Sequence, residues 1–242
     1  WPLQNGLTQH QHHQNNMGAY GGPDIITDGL VLSLDAGSTR SYPGTGTTWY
    51  DLSGNENNFT FSGTPSVSGG LFDNEGSVYA TRAAMPVNSS TNGYTIEVCF
   101  KINVDLVAGY QNVFQNGTSP NRHMVWYLGS SNNLNALFHI PNSYNNTSDT
   151  LSLDTFYYVQ LSYDPNGGGS NGRRAWINGV EKTVNNTAAG NKTPSGTSTI
   201  GIDNNLVSGQ SDMSYAFIRY YDKALSAAEI SQNYNAQKNR FI

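Results

Sequence analysis

Strict two-residue alternation constrains this chain more than any other feature. Leu30, Leu32 and Leu34 alternate with Val31, Ser33 and Asp35, and Ile96, Val98, Phe100 and Ile102 with Thr95, Glu97, Cys99 and Lys101. Val159, Leu161 and Tyr163 alternate with Tyr158, Gln160 and Ser162, and Ala216, Ile218 and Tyr220 with Phe217, Arg219 and Tyr221. Successive side chains of an extended chain point to opposite faces, so this period predicts strands with one buried and one wetter face. Turn clusters separate the runs: Pro43-Gly44-Thr45-Gly46, Ser53-Gly54-Asn55, Gly69-Gly70 and Asn166-Gly167-Gly168-Gly169. Many short strands punctuated in this way imply an all-β fold, two antiparallel sheets packed as a jelly-roll sandwich. A chain of 242 residues is an ordinary length for one large sandwich.

Two local signals sharpen that expectation. Within Arg174-Ala-Trp-Ile-Asn-Gly-Val-Glu-Lys182, the pair Asn178-Gly179 can take the two positive φ angles of a type I′ hairpin turn, placing Trp176 and Val180 near the turn on paired strands. One short C-terminal helix is predicted from Ser226-Ala-Ala-Glu229, a capping box, with Leu225 and Ile230 at the staple positions. Ile230 and Tyr234 supply its apolar stripe; Asn233 and Gln237 are expected to look outward.

Residues 1–23 differ. They are rich in Gln, Asn, His and Gly, show no apolar periodicity and cannot bury enough to fold alone. Such an arm gains order only by lying on something, its own sandwich or a neighbouring subunit. The expected organisation is an extended polar arm over 1–23, with Trp1, Pro2, Leu3, His10, His12 and His13 as assembly contacts, and a sandwich domain over 24–242. The chain starts at Trp1 without a signal-peptide pattern, which reads as a processed chain or a piece of a longer one.

Composition excludes some partners. A net charge of −5 leaves no basic footprint for nucleic acid, and no apolar run is long enough for a membrane-spanning helix. Charged residues are only 12%, so neutral Asn, Ser, Thr, Gly and Tyr carry the polar work. The one cysteine, Cys99, cannot form an internal disulfide and reads as a small, half-buried strand residue. Asn-X-Ser/Thr triplets, at Asn58, Asn116 and Asn191 among others, are expected by chance in so Asn- and Thr-rich a chain.

The order "YTIEVCFKI", "FYYVQLSYDP…RRAWINGVEK", "STIGID" and "AFIRYYDKALSAAEISQNYN" resembles the concanavalin-A-like/laminin-G-like superfamily. The opening "DIITDGLVLSLDAGSTRSYPGTGTTWYDLSGNENN" looks like the variant common in structural proteins of tailed bacteriophages, cyanophages included. The resemblance spans roughly Asp24 to Phe241 and leaves the arm outside. It implies a two-sheet jelly roll used for sugar binding or for display on virions.

Chemistry-bearing residues are few. Glycosidases on such folds need two carboxylates flanking one bond. Glu56, Glu75, Glu97, Glu181 and Glu229 stand apart from one another, and Asp24 with Asp28 lies beside the arm, so no catalytic residue is expected. Gly168-Gly-Ser-Asn-Gly172 matches a nucleophile-elbow pattern but falls in a strand-to-strand loop with no His after it. His10, His12 and His13 could meet a metal only if symmetry gathered copies of the arm. His123 and His139 read as strand or loop residues. Asp203, Asn205 and Asp212 could offer oxygens to calcium, the one metal considered, although an Asx-type turn also accounts for Asp203-Asn204-Asn205. Trp49, Tyr50 and Asp51, with Trp126 and Tyr127, are the candidates for stacking on and gripping a sugar; core filling is the competing role of both tryptophans, and Trp176 could serve either core or surface.

These features predict a non-catalytic virion protein: a capsid decoration, head-fibre or tail-associated subunit at the particle surface. Its expected partners are other virion proteins, sister subunits in a homotrimer or other oligomer, and host-surface glycan. A carbohydrate-binding module of a bacterial secreted or surface protein is the alternative.

Overall fold

The computed structural model describes residues 24–75, 77–85, 87, 91–104, 110–118, 121–128, 133–134, 147, 149–167, 172–185, 193–202 and 212–241. The arm, residues 1–23, lies outside the described residues.

The chain forms strands β1 (Leu30–Asp35), β2 (Thr48–Trp49), β3 (Phe59–Phe61), β4 (Ser66–Ser68), β5 (Leu71–Asp73), β6 (Ala80–Ala83), β7 (Tyr94–Val104) and β8 (Tyr110–Thr118). It continues with β9 (Asn121–Leu128), β10 (Asn133–Leu134), β11 (Asp149–Thr150), β12 (Phe156–Tyr163), β13 (Arg173–Ile177), β14 (Val180–Lys182), β15 (Thr197–Ile200) and β16 (Asp212–Tyr221). Helix α1 (Ala227–Gln237) closes the fold. One antiparallel sheet runs β14-β13-β12-β7-β16-β5-β4, with β1 sharing the edge of β16 that β5 also uses; the other runs β11-β10-β9-β8-β15-β6-β3-β2. This is the two-sheet antiparallel sandwich that the alternation predicts.

Register explains the core. Val159, Val98 and Ile218 lie in one row across β12, β7 and β16, and Leu161, Ile96 and Tyr220 in the next. Both rows face the second sheet, where Phe114, Val125, Ile200, Ala80 and Phe61 complete the same buried cluster. Trp49 stacks on Phe61 with ring centroids 5.5 Å apart. The Asn178-Gly179 turn has φ of 51° and 76°, as a type I′ hairpin requires. A Cβ on Gly179 would lie 2.5 Å from the Tyr234 ring, so glycine also lets α1 sit on the hairpin.

The opposite face departs from the expectation. Its rows are Ser162–Thr95–Tyr221, Gln160–Glu97–Arg219 and Tyr158–Cys99–Phe217. A wetter surface is what their polarity suggests, yet every one of these residues is buried. The reason is α1, which lies over this face and buries Trp176, Tyr221, Leu225 and Ile230 together. The capping box forms: Ser226 Oγ accepts from Glu229 N, and Glu229 Oε2 accepts from Ser226 N at 2.8 Å.

Asn233 corrects the helical reading outright. It is fully buried instead of facing outward, because the sheet beneath supplies polar partners. Its Nδ2 donates to Glu97 Oε1 at 2.9 Å and to Tyr221 Oη at 3.0 Å. Glu97 also accepts from Gln160 Nε2 at 2.8 Å and Tyr158 Oη at 3.0 Å, with Arg219 Nη1 at 3.5 Å. Burial, then the Glu97 charge, raises the Tyr158 hydroxyl well above its ordinary value. Burial opposes the Arg219 charge, but Tyr158, Tyr221, Glu97 and Asp35 outweigh it, and its pKa is raised. A buried polar layer centred on Glu97 thus fastens α1 to the sheet, although Gln160 Oε1 and the Arg219 Nε and Nη1 groups make no hydrogen bond within it.

Candidate functional site

The aromatic candidates do not converge. Trp49, on β2, has no exposed surface and serves the core rather than a ligand. Its inward direction follows from its pairing with Phe59 at the sheet edge, where both rings turn into the sandwich. Asp51 is committed to its own loop: Oδ1 accepts from Ser33 N and Ser53 N, and Oδ2 from Ser53 Oγ and Asn57 N, all within 3.0 Å. Only Tyr50, 44% exposed, faces solvent there. Trp126 and Tyr127 pair through the β9 backbone with Asn112 and Gln111 of β8; their side chains lie outside the described residues. Between β9 and β2 stand β8, β15, β6 and β3, a span of roughly 24 Å at about 4.8 Å per strand, too far for one small sugar to touch both groups.

The remaining candidates scatter likewise. Trp176 is buried, with the Arg174 guanidinium 4.8 Å above its ring. His123 is buried, stacks on Tyr94 at 3.7 Å and places Nδ1 2.6 Å from Tyr220 Oη. Asp212 Oδ1 accepts from Asn103 Nδ2 at 3.1 Å, while Asp203 and Asn205 lie outside the described residues, as do His10, His12, His13, His139 and the loop from Gly168 to Asn171. Among the described residues no group of three or more His, Cys, Asp or Glu could hold a metal ion.

Among the described residues a concavity lies elsewhere, where the β12–β13 hairpin meets the start of α1. A cleft of about 510 Å³ is lined by Ser162, Asp164, Gly167, Gly172, Arg174 and the segment Ala224–Ala227. Its base is fixed by backbone geometry. Asp164 N donates to Gly172 O at 2.8 Å, and Gly172 has φ of 75°, with Asp164 O only 1.8 Å from where a Cβ would stand. Glycine is required there for the loop to close. The far wall is held by Ser162 Oγ, which donates to Leu225 O at 3.3 Å.

Two charged groups give the cleft its chemistry. Asp164 Oδ1 accepts from Asn166 N at 2.8 Å, and its Oδ2 makes no bond to protein among the described residues. Arg174 donates Nε and Nη2 to the two oxygens of Glu181 at 2.7 and 2.8 Å, leaving Nη1 without a partner among the described residues. The Glu181 hydrogen bond raises the Arg174 pKa, so the guanidinium is a permanent cation. A free carboxylate oxygen and a free guanidinium edge suit the hydroxyls of a polar ligand. The cleft holds one carboxylate, not the flanking pair of a glycosidase. Elsewhere Asp73 and Glu75 stand two residues apart, a spacing easily passed over, but Asp73 Oδ1 accepts from Ser214 Oγ while Glu75 is exposed beyond the end of β5. Sequence reasoning missed the cleft although its Gly-rich loop was in view. The legible signal was that loop itself, too long for a tight turn and flanked by Asp164 and Arg174.

The chain belongs to the concanavalin A-like lectin/glucanases superfamily, whose laminin-G-type family model matches residues 72–231. No curated protein sequence matches it significantly. Among solved structures it is similar to Trypanosoma rangeli sialidase in complex with sialic acid, at 16% identity and a TM-score of 0.65, covering 91% of this chain and 35% of that one. The same sialidase as a covalent intermediate with 2,3-difluorosialic acid gives 16% identity and a TM-score of 0.66, covering 93% and 35%. A structure described as a receptor binding domain matches at 15% identity and a TM-score of 0.59, covering 87% and 51%. The chain therefore spans about a third of the sialidase chains, and at such identities the likeness is one of fold.

Proposed function

We propose that this superfamily member is a carbohydrate-binding domain that acts without turnover, and that it is displayed on a tailed-phage particle with residues 1–23 as its docking arm. The observation that carries the binding half is the cleft, whose exposed lining residues Asp164 and Arg174 keep unspent hydrogen-bonding capacity and whose nearby second carboxylate, Glu181, is tied up by the Arg174 guanidinium. A sugar ring offers adjacent hydroxyls that donate to a carboxylate and accept from a guanidinium. The sialidase and receptor-binding neighbours are compatible with such a role, although their likeness is one of fold. The display half rests on the phage-like opening and on the polar composition of the arm. A bacterial secreted or surface protein could carry the same domain, and only the carrier would differ. Calcium enters this reading only through Asp203, Asn205 and Asp212.

A glycan array with the wild-type chain, Asp164→Ala and Arg174→Ala tests the binding half. Binding to a defined glycan set, lost in both variants, is expected, together with no release of nitrophenol from nitrophenyl glycosides. Binding untouched by either substitution would move the site elsewhere, and turnover would overturn the non-catalytic reading. Light scattering of the full chain against a chain starting at Asp24 tests the arm: an oligomer that becomes a monomer on truncation is expected, and equal masses would remove the arm from self-assembly.

A further inference from the structure

The first described residues, Asp24 to Asp28, lie along α1 and are fastened to it at successive points. Gln232 Nε2 donates to Asp24 O at 2.8 Å. Ile26 N donates to Asn233 Oδ1 at 2.7 Å, and Ile26 O accepts from Tyr221 Oη at 3.1 Å. Lys223 Nζ bridges Asp28 Oδ2 at 2.6 Å and Glu229 Oε1 at 2.9 Å. Asn233 is the centre of this arrangement. Through one amide it joins the incoming backbone, α1, Glu97 of β7 and Tyr221 of β16, and the Asn233, Glu97 and Tyr221 side chains are themselves buried.

We infer that α1 is the clamp for the N-terminal arm: the helix and the segment 24–28 form one rigid joint that sets where residues 1–23 leave the domain. The physical reason is the contrast in anchoring. The polar residues 1–23 have little apolar surface with which to hold themselves down, whereas Ile26 packs its side chain against the cluster of Trp176, Tyr221, Leu225 and Ile230, and both hydrogen-bonding groups of its backbone are claimed by buried side chains of the Glu97 layer. Leaving such groups unpaired in a dry site is costly, so the segment cannot lift without disturbing α1. The consequence for assembly is directional. The cleft is held in a fixed relation to the point where the arm begins, because the same helix lines the cleft at its first turn and grips Asp24 and Ile26 through Gln232 and Asn233. The joint goes beyond the glycan-binding reading and stands whether or not a glycan is found.

Hydrogen exchange by mass spectrometry on the full chain tests it without any ligand. In the wild type, the Ile26 amide, bonded to Asn233 Oδ1, should exchange far more slowly than that of an unstructured peptide. Tyr221→Phe removes the hydroxyl bonds while keeping the ring, and Asn233→Ala removes the central amide; each should speed exchange at 24–28 by about tenfold or more relative to any change in β7 peptides. Tyr221→Phe keeps the test alive if Asn233→Ala does not fold. An unprotected Ile26 amide in the wild type, or variants in which 24–28 and β7 change together, would overturn the clamp.

Discussion

Glu97→Gln isolates the polar layer under α1 with almost no change of shape. Oε1 of Glu97 accepts from both Gln160 Nε2 and Asn233 Nδ2, so the glutamine carbonyl must take that position. Its NH2 then stands where Oε2 stood, facing the Tyr158 hydroxyl, which can rotate to accept, and Arg219 Nη1, which cannot. The Arg219 side chain is 4% exposed and would lose the carboxylate that opposes its charge. Breaking a buried pair by removing one partner costs about 3–5 kcal/mol. The 3.5 Å separation and the Phe217 ring 4.2 Å beneath the guanidinium place this case at the lower end, about 3 kcal/mol. For a domain of this size that corresponds to a Tm lowered by roughly 6–12 °C. Urea unfolding followed by tryptophan fluorescence measures it as a lower midpoint at unchanged slope. Adding Arg219→Met removes the stranded charge and should restore at least about half of the loss. A single variant within about 1 kcal/mol of wild type, or a double variant whose loss is the sum of its parts, would refute the argument that Arg219 depends on Glu97.

Other expected outcomes follow from single residues. Burial pushes the Cys99 thiol up to about 12, so Ellman's reagent at pH 8 should label it only in urea, and rapid labelling of the native chain would contradict its place under Phe217 and Tyr158. Glu229 is held below its ordinary value although burial works against that, because Ser226 and Lys223 hydrogen-bond the carboxylate. Its contribution is therefore present above the ordinary glutamate pKa and lost as pH falls through the lowered one. The stability gap between wild type and Glu229→Gln should close on acidification to about pH 3, and a gap that widens there would reverse the assignment. Trp49→Ala should cost about 3–5 kcal/mol in chemical denaturation, whereas Tyr50→Ala should cost little, and equal effects would place Trp49 outside the core.

The strands were legible because alternation reports which residues share a face, and register needed only those faces to meet. Legibility stopped at what covers the second face. Thr95, Glu97, Cys99, Gln160 and Arg219 have the polarity of a solvated surface, and nothing within β7, β12 or β16 says that a helix will lie on it. The information sat elsewhere. Ser226 and Glu229 announced a helix, and a helix of 11 residues with Leu225 and Ile230 to bury needs a surface. Combined with the register row Gln160–Glu97–Arg219, that requirement turns Asn233 inward, because only an amide can meet a carboxylate, a phenol and a backbone N–H at once.

The site failed to show in the sequence for a different reason. Aromatic residues draw attention because their chemistry is visible one residue at a time, but the direction of Trp49 was settled by an edge pairing with Phe59 that no local pattern contains. The cleft has the opposite character. Its walls come from a hairpin loop and a helix start more than fifty residues apart, and they become a site only when Ser162 bonds Leu225 across the gap. All of these lining residues fall inside the segment 72–231 that the family model matches. Asp24, Ile26, Gln232 and Asn233 fall outside it. The cleft thus lies wholly within the matched segment, whereas the joint crosses its ends, with Glu97, Tyr221, Lys223 and Glu229 inside it and Asp24, Ile26, Gln232 and Asn233 outside. Substitutions at Asp164 or Arg174 should therefore alter what is bound, and substitutions at Asn233 or Tyr221 how the domain is held.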